Sequence, residues 1–233
     1  MPSRKTPATA VAPAASQAVS RVVDEIKQMI VSGDLLPGQQ IRQEHMAAAL
    51  GVSRLPVREA LRQLVADGLV VHEQHVGFAV ARLSRSEFDQ VYLMRRLLET
   101  EVIRSLSQPA ADELAQIAAL AAEVEQAAAE VDLPRMRTLN SRFHFAIFGL
   151  SELGLVVGEI RRIWTWALPY HAVYLYDEAG RARILAEHRE MVAALGAGDV
   201  ERLVELMNAH RAGSETQLSL MLAAGVITHP PVR

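Results

Sequence analysis

Three histidines in the second half of the chain sit where a helix keeps its apolar residues. His144 shares a helical face with Met136, Phe143 and Ile147; His188 falls among Ile184, Leu185, Met191, Val192 and Leu195; His210 goes with Leu203, Val204, Met207 and Ser214. Each is an imidazole aimed inward from a different helix. Burying imidazoles without partners is costly, and one divalent ion shared by all three satisfies them together. Asn140 precedes His144 by one helical turn on the same face, so its carbonyl oxygen can join them. Three ring nitrogens and one oxygen, with positions left open to solvent, suit Zn²⁺ first, with Ni²⁺ or Mn²⁺ as alternatives. The competing reading is three separately hydrogen-bonded core histidines, and periodicity alone weighs the two equally.

A second constellation lies nearer the N-terminus. Arg54, Arg58 and Arg62 recur at spacings of four, on one flank of a helix whose apolar stripe is Val57, Leu61 and Leu64. A planar guanidinium can pair with guanine O6 and N7 or grip a phosphate. Arg42, on the preceding helix, is placed to clamp the DNA backbone and set the register. A solvated face balanced by Glu59 and Asp67 is the alternative for any single arginine.

The elements that must carry these residues follow from periodicity and punctuation. A helical pattern begins near Ser16, with Val19, Val22, Val23, Ile26, Met29 and Ile30 at three- and four-residue steps, and stops at Ser32-Gly33. A Leu36-Pro37-Gly38 turn leads into a short helix near 42–50, and Gly51 breaks it. Ser53 is placed to cap the next helix, Pro56 sits in its first turn, and Gly68 closes it. Leu69 to Glu73 and Phe78 to Arg82 are β-prone stretches around a Gln74-His75-Val76-Gly77 tip, which predicts a hairpin. Three helices and a hairpin over residues 17–83 make a winged helix-turn-helix, the fold whose second motif helix enters the major groove.

Beyond Ser84 no segment alternates with period two. Helices are predicted near 86–106, 110–130, 134–150, 155–176, 181–195 and 199–223, with Pro109 and Pro134 in first turns and Asp132 and Asp199 as caps. The fold is therefore mainly α: a winged domain followed by an all-helical antiparallel bundle of six to seven helices over 86–223. Residues 1–16 read as a flexible leader and 224–233 as a tail.

Composition bounds the function classes. Half of the 233 residues are apolar and mean hydropathy is +0.12, enough for a real core. Cysteine is absent, which removes disulfides, thiolate metal sites and a cysteine nucleophile. No apolar run approaches the roughly 20 residues of a membrane helix, and the start of the chain lacks a secretory core, so a cytoplasmic protein is the default. Residues 1–85 carry 10 Lys/Arg against 7 Asp/Glu, whereas the remainder carries 14 against 20. A basic first third on an acidic body indicates that only the first part meets a polyanion.

The run "SGDLLPGQQIRQEHMAAALGVSRLPVREALRQLVADGLV" closely resembles the N-terminal domain of GntR-family transcriptional regulators. It has the Pro-Gly turn, the following Arg, Gly-Val-Ser-Arg-x-Pro-Val-Arg-Glu-Ala-Leu, and Gly-Leu before the wing. The resemblance covers about residues 20–82 and implies DNA contact through Arg42, Ser53, Arg54 and Arg58, with Gly77 at the wing tip; Arg62 extends the same flank. Two positions depart from the family pattern: Leu55 stands where Thr is usual, and Val76 where a basic residue often precedes the wing glycine. His75 is a candidate substitute wing contact, with a solvent-exposed turn residue as the leading reading.

The segments "VYLMRRLLETE", "LNSRFHFAIF" and "AEHREMVAALGAGDVERLVELMNAH" resemble the FCD effector domain of the FadR subgroup, over roughly residues 86–222. In its metal-binding members an Asp or Asn and the His one turn later join two further histidines around a divalent metal. That resemblance implies Asn140, His144, His188 and His210 as ligands and a small carboxylate as effector. Arg95, in the family's helix-one motif, is the leading further candidate for holding the acid, followed by Arg162, Tyr170, His171 and Tyr174.

The function expected is a homodimeric, ligand-responsive transcription factor, a repressor by the commonest arrangement, seated on a pseudo-palindromic double-stranded operator. One alternative makes the metal itself the signal. Another makes the helical domain a metal-dependent hydrolase, for which Glu187 and Glu190 flank His188 but are expected to point away from its face.

Overall fold

The computed structural model describes residues 12–74, 76–174 and 178–223. The first unit runs α1 (Ala12–Ser32), β1 (Gln40–Ile41), α2 (Gln43–Leu50), α3 (Arg54–Ala66), β2 (Val70–Glu73) and β3 (Gly77–Val80). The second is helical throughout: α4 (Arg85–Arg104), α5 (Ala111–Ala129), α6 (Leu133–Phe148), α7 (Gly154–Tyr174), α8 (Glu178–Ala197) and α9 (Val200–Ala223).

The winged unit closes around one apolar cluster. Val22, Ile26 and Ile30 of α1 meet Met46 of α2, Val57, Leu61 and Leu64 of α3, and Leu69, Phe78 and Val80 of the sheet. α1 begins at Ala12, earlier than its apolar pattern indicates. The preceding alanines propagate a helix at no propensity cost, and Pro13 falls in the first turn, where its missing N–H does little harm. The sheet has three strands in the order β1-β3-β2, both pairings antiparallel, with Ile41 opposite Phe78 and Val70 opposite Val80. The hairpin is therefore completed by a strand too short to show alternation.

Local signals set most helix starts. Ser84 and Glu87 form a reciprocal capping box at α4. Asp132 accepts the Arg135 N–H at 3.1 Å, and Asp199 accepts that of Arg202 at 3.0 Å. Two expected helix starts differ. Pro109 lies outside α5, whose N-cap residue is Ala110, and the Glu113 carboxylate accepts the Ala110 N–H at 2.8 Å. Ser53 occupies the N-cap position of α3 with extended backbone, but its side chain makes no capping hydrogen bond. Its hydroxyl is exposed on the surface instead.

Two clusters fill the bundle. Phe88, Tyr92, Met136, Tyr170 and Leu218 belong to the one nearer the winged unit. Phe143, Ile147, Phe148, Trp164, Met191 and Leu203 belong to the other. Contacts between the units among the described residues include the following. The Arg137 guanidinium of α6 donates to the Ser32 carbonyl at the end of α1 at 3.1 Å. The Tyr170 hydroxyl of α7 accepts the Leu83 N–H in the connection before α4. The Trp166 indole lies against Gly68, whose φ of +78° and missing Cβ both suit glycine: a Cβ there would stand 3.0 Å from Trp166 Cδ1.

Candidate nucleic-acid interface and metal centre

α3 presents its arginines to solvent because its apolar stripe is spent on the core. Arg54, Arg58 and Arg62 are all at least half exposed. Arg54 pairs with Glu44 of α2 at 2.8 Å, and Glu59 lies between Arg58 (3.6 Å) and Arg62 (3.3 Å). Asp67 pairs with Lys27 of α1 at 2.9 Å rather than with these arginines. Exposed pairs of this kind hold weakly, so the guanidiniums can exchange a carboxylate for phosphate or guanine at little cost. Arg42 is exposed at the N-cap position of α2, next to the start of the sheet. Gly77 opens β3 with φ of +95°. Leu55 is 60% exposed on the same helix end as Arg54, an apolar spot among the cations. His75 lies outside the described residues.

A groove between α3 and the wing is lined by Gln43, Arg58, Arg62 and His72. Gln43 and His72 were not apparent from the sequence. His72 is exposed on β2 with its ring 4.6 Å from that of Phe78. Only the strand register shows that it faces the helix.

The three inward histidines converge. His144 on α6, His188 on α8 and His210 on α9 are 0%, 1% and 5% exposed. One ligating atom from each lies within 4.8 Å of the others. Phe143 stacks on His188 at 4.3 Å, and the Trp164 ring lies 5.2 Å from that of His144. Burial, reinforced by the neighbouring His210, pushes the His188 pKa well below its ordinary value of 6.5, which keeps its ring neutral, the form that ligates a metal.

Both ring nitrogens of His188 and the Oδ1 of Asn140 are buried without a hydrogen-bond partner among the described residues. Buried polar atoms in native proteins are nearly always satisfied, so these donors fit a divalent cation better than they fit a closed apolar core. The separate-histidine reading requires a hydrogen-bond partner for His188, and the described residues supply none.

His210 has a different neighbour. Its Nδ1 lies 2.6 Å from the Glu187 carboxylate. The sequence reading that turned Glu187 away from the cluster is therefore corrected: α8 packs so that Glu187 reaches α9 while the next residue, His188, enters the triad. Burial pushes the Glu187 carboxyl up, but hydrogen bonds and charge from His210 and Arg183 outweigh it and leave the pKa below 4.5.

The proposed acid-holding residues separate. Arg95 is buried on α4, 2.7 Å from Glu99, and its guanidinium lies 4.3 Å over the Trp164 ring. Glu99 also accepts from Trp164 Nε1 and Arg211 Nη1, each at 2.7 Å. Arg95 thus borders the histidines through Trp164, already engaged with an internal carboxylate. Arg162 is not brought to the site: it is exposed and bonded to Glu159 at 2.8 Å, because its position on α7 faces solvent. Tyr170 is buried in the other cluster and committed to Leu83. The side chains of His171 and Tyr174 lie outside the described residues.

A winged unit with exposed arginines, joined to a helical bundle that gathers imidazoles inside, is the architecture of a DNA-binding regulator with a second, helical domain. Residues 18–80 match the model for bacterial regulatory proteins of the gntR family, and residues 90–213 match the FCD domain. The chain belongs to the GntR family of transcriptional regulators, in its FadR-like, FCD-bearing subgroup.

Among its relatives, the HTH-type transcriptional regulator McbR of Escherichia coli is 28% identical over 187 residues, covering 78% of this chain and 83% of that one. A probable D-xylose utilization operon transcriptional repressor of Paenarthrobacter nicotinovorans is 27% identical over 201 residues, covering 82% and 84%. The crystal structure of a putative GntR transcriptional regulator from Rhodococcus superposes with a TM-score of 0.74 at 27% identity, covering 87% and 97%. The family is one of regulators rather than enzymes, so the hydrolase alternative is set aside. Among the described residues no helix is long and apolar enough to cross a membrane.

Proposed function

We propose that this regulator is a homodimeric repressor whose operator binding is governed by a small carboxylate, recognised at a divalent metal, Zn²⁺ first, held by His144, His188, His210 and Asn140. The observation that carries the reading is the buried triad together with the unpartnered donors of His188 and Asn140. A bound ion supplies positive charge and open coordination positions for an anionic oxygen. The repressor sense follows the P. nicotinovorans relative, and dimerisation follows from the need to read two half-sites.

The helices that carry the site also touch the reader. α6 bears Asn140 and His144 and, one turn earlier, the Arg137 that grips Ser32. α7 bears the Trp164 beside His144, the Trp166 against Gly68 and the Tyr170 that pins Leu83. An effector that shifts α6 against α7 has a direct route to the spacing of the two readers, provided it binds the two arrangements with different strength.

The test is operator retardation with the metal-loaded and the chelated protein, with and without a panel of small organic acids. An acid that releases DNA only from the loaded form supports the reading. Release by metal alone makes the ion the signal, and indifference to both overturns the sensor role. On the DNA side, Arg58→Ala is expected to cost about 1–3 kcal/mol of operator affinity and flatten preference at the base it reads. Fluorescence anisotropy over a salt series checks this.

Asn140 leaves a divalent site at a net charge of +2, where Asp would leave +1. Asn140→Asp is expected to tighten Zn²⁺ by about five- to tenfold, since one unit charge at 4 Å contributes about 1 kcal/mol even at the dielectric of water. The same substitution weakens the pull on an anionic effector. Unchanged or weaker Zn²⁺ affinity in calorimetric titration removes Asn140 from the ligand set.

A further inference from the structure

We propose that Arg183, seated against Gly213, is a positioning residue for the metal centre: it holds the Glu187 carboxylate on His210 Nδ1, so that His210 offers Nε2 to the ion. The proposal rests on the metal reading above and concerns how the protein prepares one ligand before any ion arrives.

The parts come from two helices. Arg183 and Glu187 are four residues apart on α8, one turn from each other on one flank. Arg183 Nη1 donates to both carboxylate oxygens, at 2.8 and 3.1 Å. The carboxylate then meets His210 Nδ1 at 2.6 Å. On α9, Gly213 follows His210 by three residues and so lies on the same face. A Cβ on Gly213 would stand 2.7 Å from Arg183 Cζ and 3.0 Å from its Nη2, inside ordinary contact distance. Glycine here makes the bed in which the guanidinium lies.

The chemistry follows from the donor inventory. A neutral imidazole carries one ring proton, and an ionised carboxylate only accepts. With Glu187 at Nδ1 the proton sits on that nitrogen, and the lone pair of Nε2 is left for a metal. Among the described residues His188 has no such partner at either nitrogen, so none of them outside the triad chooses its tautomer. Arg183 adds two effects. Its charge offsets that of Glu187, and its two hydrogen bonds restrain the carboxylate from swinging in to ligate the ion itself. That swing would replace a site of three imidazoles and a neutral amide by one containing a carboxylate. An outer carboxylate on a ligating histidine typically controls metal affinity by about 10- to 100-fold.

The experiment measures Zn²⁺ affinity of the full chain by chelator competition, and the visible spectrum with Co²⁺, for Glu187→Gln, Arg183→Ala, Gly213→Ala and the double variant Arg183→Ala/Gly213→Ala. Glu187→Gln and Arg183→Ala are expected to weaken Zn²⁺ by about 10- to 100-fold and to shift the Co²⁺ bands, while thermal melting of the metal-free protein changes little. Gly213→Ala weakens Zn²⁺ as well, but the double variant is no weaker than Arg183→Ala alone, because the glycine acts through the arginine. Arg189→Ala, which removes an exposed α8 arginine paired with Glu125, leaves affinity unchanged.

Wild-type affinity and spectra in Glu187→Gln and Arg183→Ala overturn the proposal and leave the metal reading standing. Additive losses in the double variant overturn the role of Gly213. A wild-type protein that takes up no Zn²⁺ overturns the metal reading itself. Glu187→Gln is isosteric, so the test survives a Gly213→Ala protein that fails to fold.

Discussion

Glu99→Ala is expected to destabilise the bundle by about 3–5 kcal/mol, the typical cost of stripping one partner from a buried ion pair. Glu99 is fully buried, and its carboxylate receives Arg95, Arg211 and the Trp164 indole N–H, each at 2.7 Å. Arg95 and Arg211 are themselves 4% and 3% exposed. Removing the carboxylate leaves two buried guanidiniums facing each other without their shared anion. Equilibrium urea unfolding of the metal-free protein measures the loss, and a change under 1 kcal/mol would contradict the burial of the cluster.

The same cluster fixes a sign with pH. Burial raises the Glu99 pKa, but Arg95, Arg211 and the hydrogen bonds outweigh it, so the folded value lies below 4.5. A depressed carboxylate contributes stability that is complete above its unfolded pKa and is lost as pH falls through the folded one. Glu99→Gln mimics the protonated form. The gap between wild type and Glu99→Gln is therefore expected to be full at pH 7 and to close as pH falls below 4.5 and through the folded value. A gap that is constant down to acid unfolding contradicts this.

His188→Leu is expected to move stability in opposite directions with and without metal. In the metal-free protein the described residues offer the ring nitrogens of His188 no hydrogen-bond partner, and an unsatisfied buried polar group costs about 1–3 kcal/mol. An apolar side chain of similar size removes that penalty and keeps much of the contact with Phe143. The metal-free variant is therefore more stable than the wild type. With Zn²⁺ at a thousandfold excess over its dissociation constant, the wild type gains about 4.1 kcal/mol by linkage, more than that penalty, and the variant gains none. The two thermal melting curves thus exchange order on adding Zn²⁺. Curves that keep their order in both conditions would remove His188 from the site.

Much of this was legible in the sequence, for identifiable reasons. His144, His188 and His210 could be placed together because each occupies a core position of a long helix, where period 3.6 is easy to read. Arg54, Arg58 and Arg62 could be placed on one flank for the same reason. What escaped depends on neighbours distant in the chain. Glu187 is next to His188 and so lies about 100° round α8, which predicts a different surrounding; that flank faces α9 rather than water. The Glu99 network spans α4, α7 and α9, and no local pattern encodes an arginine 112 positions away. β1 is two residues long and shows no alternation. Tyr170 is among the candidates for holding the acid, yet its partner is a main-chain amide 87 residues back.

The chain has two tryptophans, both on α7 and two residues apart. Trp164 lies beside His144, and Trp166 lies against Gly68 of the winged unit. Intrinsic emission is consequently a built-in pair of optical channels, one watching the imidazoles and the other the seam to the reader. Replacing either indole by phenylalanine isolates the remaining signal. Stopped-flow recording of each would time occupancy and its arrival at the reader separately, without any attached dye.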